Sequence, residues 1–484
     1  MRRFGFDIEA VDTAGDYRRI SVVGRLGAAL VLSALACVGA RAQIAVTNQG
    51  FVPYSDEPIN YRSAPLTDPV AKLKEKIDKG RAQLKYEPEH GYLRSVLRLL
   101  DIPLASQTLV FSKTSFQYSK ISPDHPRALY FNDDVYVGAV YEGKAIEIVS
   151  FDPMQGAVFY LLDEPKAQRP NFERAELDCT QCHIASGTRA VPGVLLQSVY
   201  PSTTGTVTTG TRTYITDQQS PYAERWGGWY VTGLDTQGTL ANSIVPAGEA
   251  SASGKAERSR AVSPLPAGSF DASRYLYPGS DVVAHLVLAH QTQMHNLITL
   301  VNYKTRIAIH DWEKTHPEDK GRKDVDYPDA VRSAWEKPAE RLLRYLLFSK
   351  EAPLTELSTN LRPEDSPFAR TFTAQGPKDR QRRSLRDFDL KTRTFRYPCS
   401  YLIYSEHFDH IPEPAKAYVY RRLLEILTSE QGGSPDFAHL TAADRKDILE
   451  ILLATKKGLP QEWHAQARNA QLVATSPSAA DVRK

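Results

Sequence analysis

The stretch Cys179-Thr180-Gln181-Cys182-His183 places two thiols three positions apart and an imidazole directly after the second. Thiolates are nucleophiles and soft metal ligands, and neutral imidazole is the commonest metal ligand among side chains. Three chemistries use such a set. A C-x-x-C can cycle as a redox dithiol. It can form half of a tetrahedral zinc site. With the adjacent histidine it is the attachment signature of c-type haem, in which each sulfur makes a thioether to a vinyl group and the histidine ligates the iron. The surroundings choose among them. A thioredoxin-type dithiol sits between a strand and a long helix, whereas Ser186, Gly187 and Pro192 follow the motif too closely for a long helix to start. A structural zinc site needs a second Cys/His pair, and the chain has no second C-x-x-C and no H-x-x-x-H. The cofactor implied is therefore one haem c, held by Cys179 and Cys182, with His183 as proximal ligand.

A haem with one protein ligand has a second axial position. Electron carriers close it with Met or His, and haem enzymes tend to leave it open or weakly held. The segment Asp281 to Asn302 has helical periodicity and carries His285, His290, Met294 and His295. At about 100° per residue, Val282, Leu286, Ala289, Leu297 and Val301 mark an apolar arc. His290 falls near its middle and Met294 within it, so these two are the candidate metal ligands beside His183. His285 and His295 fall outside the arc. His125, His407 and His410 are expected at the surface. Arg225 to Gly233 places an arginine, two tryptophans and a tyrosine around Gly227-Gly228. That cluster reads either as a haem-pocket wall, with Trp226 on the ring and Arg225 at a propionate, or as a tight aromatic corner of a sheet.

The elements that must position these residues change character along the chain. Residues 43 to 68 are polar and contain proline. Val70 to Leu84 and Tyr92 to Leu100 have helical spacing. From Thr108 the period becomes two: Ala128–Phe131, Val135–Tyr141, Ala145–Phe151 and Ala157–Leu162 are short β-branched or aromatic runs separated by Asn132-Asp133-Asp134 and Glu142-Gly143. They predict an antiparallel meander leading to the C-x-x-C-H. Val194–Val199 and Thr206–Ile215 are also strand-like. Beyond a stretch rich in Ala, Ser, Gly and Pro the chain turns helical, with Pro328–Phe348, Ala415–Leu427 and Ala442–Ala454 following the histidine-bearing segment. The fold class is α+β: a β-rich haem-bearing first half and a mainly helical second half. The expected divisions are 1–42 as leader, 43–245 as the β-rich region, 246–268 as linker or mobile loop, 269–472 as the helical region and 473–484 as a frayed tail.

The N-terminus has the form of an export signal. Arg18, Arg19 and Arg25 precede the apolar run Leu26–Ala40, which ends in Ala40-Arg41-Ala42 before Gln43. The run is about 15 residues, short of the roughly 20 that span a bilayer, so cleavage is expected and no integral span remains after it. The expected location is periplasmic or secreted. Of four cysteines, Cys37 leaves with the leader and Cys399 stands alone once the haem motif is subtracted, which leaves no intramolecular disulfide. Formal net charge is +3; six arginines and four acids lie in residues 1–42, so the remainder sits near +1. That balance does not point to nucleic acid or an anionic membrane as partner.

The segments ALYFNDDVYVG (Ala128 to Gly138), CTQCH with VPG (Cys179 to Gly193), RWGGWYVTG (Arg225 to Gly233) and YPCSYLIYSEHFD (Tyr397 to Asp409) resemble those of exported bacterial cytochrome c-like proteins with one C-x-x-C-H. The resemblance spans most of the chain after the leader and implies haem attachment. In that group a histidine or methionine often follows the GGWYVTG-like segment; Leu234 to Asn242 has neither. The expected function is electron transfer through Fe(II)/Fe(III) cycling, with a redox protein as partner. The alternative is a haem enzyme of peroxidase or oxygenase type, which the length favours, because a bare electron carrier needs only about 100 residues. A haem-based sensor or zinc-stabilised binding module is a third class.

Overall fold

The meander expected from the alternating runs forms the centre of a seven-stranded sheet. In the computed structural model of the protein, residues 52–233, 238–245, 263–264, 268–357, 361–429 and 433–465 are described. The expected leader, the expected tail and most of the expected linker fall outside them. The strands are β1 (Thr108–Val110), β2 (Arg127–Phe131), β3 (Val135–Ala139), β4 (Ala145–Asp152), β5 (Gly156–Asp163) and β6 (Glu173–Arg174), with β9 (Trp229–Tyr230) on the far edge. Their spatial order is β6-β5-β4-β3-β2-β1-β9, and every neighbouring pair is antiparallel. Two small ribbons pair β7 (Leu196–Ser198) with β8 (Tyr214–Thr216) and β10 (Ser243–Ile244) with β11 (Ser263–Pro264). The expected strand over Thr206–Ile215 is thus reduced to its last residues.

The turns follow from side-chain chemistry. Asn132 Oδ1 accepts from the N–H groups of Asp134 and Val135, which closes the β2–β3 turn. Asp152 Oδ1 does the same for Met154 and Gln155, and Gly156, at φ +70°, supplies the left-handed residue that restarts β5.

Alternation gives the sheet two apolar faces. Val137, Ile146, Ile148, Val158 and Leu162 pack against α1 (Pro69–Asp78) and α2 (Leu93–Leu99). Phe131, Tyr136, Phe151 and Phe159 face the other way, into the main core. That core is built on α4 (Val282–Thr315), against which α5 (Asp329–Leu346) packs, with α6 (Pro367–Gln375), α7 (Glu406–Asp409), α8 (Glu413–Thr428) and α9 (Ala442–Thr455) completing the helical layer. The α+β reading holds. Val52–Lys484 is one compact unit, so the change from strands to helices is a change of element type within it.

The central helix differs from its expectation in length and in surroundings. It runs to Thr315, and every residue from Val282 to Tyr303 is buried. An apolar arc marks a core face only when the opposite face meets water. Here the opposite face meets the sheet and the loops around residues 132–134 and 400–407. His285 and His295, placed outside the arc, are therefore as buried as His290, and His407, expected at the surface, is 2% exposed. The helix carries its polar residues inside because each finds a partner there.

Candidate functional site

The C-x-x-C-H lies on α3 (Glu176–His183), a two-turn helix that ends on the histidine. At 3.6 residues per turn, Cys182, Cys179 and His183 fall within an arc of about 100°, so one side of this helix presents both sulfurs and the imidazole. Cys182 is exposed, Cys179 is half-buried and packs against the main core, and neither is in a disulfide.

His183 is fixed by the loop that follows. Its Nδ1 lies 2.8 Å from the carbonyl oxygen of Gly193. A carbonyl only accepts, so Nδ1 carries the proton and donates, and the lone pair is on Nε2. Among the described residues no second group bonds the ring. The backbone closes the same link in reverse: Gly193 N–H donates to His183 O at 3.1 Å, and Thr188 Oγ1 donates to it at 3.2 Å. The ring rests against Phe159 of β5, centroids 5.0 Å apart. Burial holds the His183 pKa below its ordinary value, against the opposing pull of the Gly193 carbonyl. The imidazole is neutral at pH 7, as metal ligation requires.

The central helix holds this loop in place. Asn296 accepts from Val194 N–H at 3.0 Å and donates to Val194 O at 2.7 Å. Gln293 Nε2 donates to Gly187 O at 2.9 Å, and Ala157 N–H of β5 donates to Pro192 O. A Cβ on Gly193 would overlap the Asn296 amide, so glycine is needed for the approach. Arg189 and Ala190 take the left-handed conformation, uncommon outside glycine, to turn the chain back toward the sheet.

The remaining sequence candidates form a different assembly. His290 Nδ1 meets Gln218 Oε1 at 2.5 Å and Nε2 meets Ser400 Oγ at 2.7 Å, with Tyr345 and Phe348 stacked on the ring. Both nitrogens are engaged, and its ring contacts lie in the helical core. Met294 is fully buried in the same core. Arg225 is also buried. Its guanidinium donates to the carbonyls of Ser220 and Gln218 and stacks on Tyr222. Trp226, at φ +67°, packs beside Tyr222 and His285. The RWGGWY cluster packs as an aromatic corner, and Arg225, Gln218, His290 and Ser400 form one continuous polar network.

The other buried histidines also bond groups of the core, His285 through Nε2 alone. His285 meets Ser280 Oγ and the Tyr230 carbonyl, and His295 donates to Asp133 O at 2.7 Å and faces His407. Among the described residues no three of His, Cys, Asp and Glu gather as a metal cage. A cavity of about 710 Å³ lies among Tyr327, Trp335, Tyr418 and Trp463, and it is not lined by the C-x-x-C-H residues.

Sequence reading missed Phe159, Gly193 and Asn296, which set the orientation of His183. The signal for the first two was weak: an aromatic on an inward strand position and a Pro-Gly pair ten residues after the histidine. Comparison with protein-family models, with curated proteins and with solved structures found no match.

Proposed function

We propose that this chain is an exported c-type haem protein. Cys179 and Cys182 would hold one haem through thioethers, and His183 Nε2 would be the proximal ligand. The group supplies one-electron chemistry through its iron, and the protein tunes it through ligand basicity and burial. The observation that carries the reading is the His183–Gly193 hydrogen bond. It selects the tautomer, aims Nε2 away from the loop and raises the basicity of the ligand, the role that second-sphere acceptors play for metal-bound histidine. The one-sided display of both sulfurs on α3 fits the same group.

The leading role is electron transfer with a redox protein in the periplasm. The haem-enzyme reading gains support from one observation: His285, His290 and His295 each bond groups of the core, which favours an open sixth position. Expression with a c-haem maturation system, followed by a pyridine haemochrome assay and spectra of the oxidised and reduced protein, tests both. Covalent haem with low-spin six-coordinate bands supports the carrier, and a high-spin form that shifts with CO supports the enzyme. Absence of covalent haem overturns the proposal.

A further inference from the structure

Ala128 and Tyr130 of β2 and Ala139 of β3 point away from the side of the sheet that touches His183. Against them lies a cavity of about 650 Å³, a volume that holds a small organic molecule. Three stretches close it: residues 86–93 leading into α2, the loops that join or follow β3, β4 and β5, and residues 273–276 ahead of α4. None of the C-x-x-C-H residues lines it.

Four tyrosines, Tyr86, Tyr130, Tyr141 and Tyr275, wall this cavity. Tyr130 and Tyr275 spend their hydroxyls elsewhere, on Gln107 Oε1 at 2.5 Å and on the Pro126 carbonyl at 2.9 Å, and offer rings. The other two rings draw cations of the chain itself. Lys166 Nζ lies 6.0 Å from the Tyr86 ring centre, and the Arg274 guanidinium 4.7 Å from that of Tyr141. An aromatic face attracts positive charge through its quadrupole.

The charges of the wall are unbalanced. Three carboxylates, Glu89, Glu142 and Glu164, line it against one guanidinium, a surplus of two negative charges. That guanidinium, Arg274, donates to Asp271 at 3.3 Å and meets His125 Nε2 at 3.1 Å, and neither of those residues lines the cavity. Glu164 is half-buried, and its carboxylate has no hydrogen bond or ion pair among the described residues. Around it stand Glu89 and His90 ahead of α2, Glu142 and Lys144 in the β3–β4 turn, Asp163 and Lys166 on its own stretch, and Arg274. Desolvation pushes the Glu164 pKa up to about 7. A carboxylate withdrawn from water without a partner is costly, and a cation in the cavity removes that cost.

We infer that this cavity is a binding site for an aliphatic polyamine, with Glu164 as its carboxylate partner and Tyr86 and Tyr141 as its aromatic walls. The surplus of two charges matches a ligand with two or more ammonium groups, and the tyrosine rings match the methylene stem between them. The site shares no residue with the C-x-x-C-H, so it stands whatever the haem content of the protein.

The test is isothermal titration calorimetry of the full chain, purified after export, with spermidine at low ionic strength. Maltose serves as the neutral probe and succinate as the anionic one. One spermidine should bind per chain, and neither of the others. Because Glu164 ionises as pH rises through about 7, spermidine affinity should rise about tenfold between pH 6 and pH 8. Glu164→Gln should weaken binding about tenfold at pH 8 and flatten that profile, and Tyr86→Leu should weaken it without flattening the profile. Glu75→Gln, an exposed partner of Lys79 on α1 outside the cavity, should change nothing. If Glu164→Gln fails to fold, the pH profile of the wild type carries the test. Binding of maltose or succinate in place of spermidine, spermidine binding that ignores Glu164→Gln, or an affinity independent of pH overturns the inference.

Discussion

Two histidine-bearing segments of this molecule differ in what their surroundings leave over. On α3, His183 has one ring nitrogen held by a backbone carbonyl and the other without a partner among the described residues. On the central helix, His290 has both nitrogens bonded, between Gln218 and Ser400. The first arrangement orients a ring and preserves a ligand atom. The second uses the ring as a rigid polar tie inside a core. A buried histidine is therefore judged by the atoms its neighbours leave unsatisfied, and burial alone does not separate a ligand from a structural residue.

Replacing the thiols tests this contrast with the largest effect. Cys179→Ala/Cys182→Ala should abolish covalent haem on a haem-stained gel, while Cys399→Ala, buried far along the chain, should retain it. Haem retained in the double variant would remove α3 from the site. His290→Ala should do the reverse. It opens a cavity and strands Gln218 and Ser400, a loss of about 3 kcal/mol in urea unfolding, with the reduced haem spectrum unchanged. A changed axial ligand field in His290→Ala would restore it as a ligand.

Protonation sharpens the same comparison. Burial, and secondarily His295, push the His290 pKa down to about 3. A histidine with a folded pKa below its unfolded value binds its proton more readily in the unfolded chain. Its stabilising contribution is complete above about pH 6.5 and is lost as pH falls from there toward 3, by up to about 1.4 kcal/mol per unit. The unfolding free energy of wild type minus that of His290→Gln should therefore shrink between pH 6.5 and 4. A constant difference over that range would mean that His290 is not held neutral.

The smallest expected effects concern the loop behind His183. Asn296→Ala removes two hydrogen bonds to the Val194 backbone, a cost of about 2 kcal/mol. It should also loosen the Gly193 carbonyl and lower the basicity of the ligand, read as a shift in midpoint potential. Gly193→Ala should move the potential in the same direction by forcing the loop off Asn296. Variants that lose stability with no change in potential would reduce the loop to a packing element.

The sequence was most informative where chemistry is local. Asn132-Asp133-Asp134 marked a turn because an Asn side chain caps its own following amides, and four alternating runs named four strands to within a residue or two. It misled at the central helix. Periodicity assumes water on one side, and here protein lies on every side, so His285, His295 and, against the same helix, His407 were misplaced. Arg225 and Trp226 were conspicuous by composition, yet their partners are carbonyls and aromatic rings of their own corner.

What the amino-acid order determined by itself is the reactive set: two thiols and an imidazole brought to one side of a short helix by covalent spacing and the helical repeat. Only tertiary structure decided which tautomer His183 holds, because Gly193 and Asn296 reach it through loop closure and a helix more than one hundred residues on. It likewise decided which side chains stand beside Phe159, because strand register, a long-range property, fixes which of them share a face.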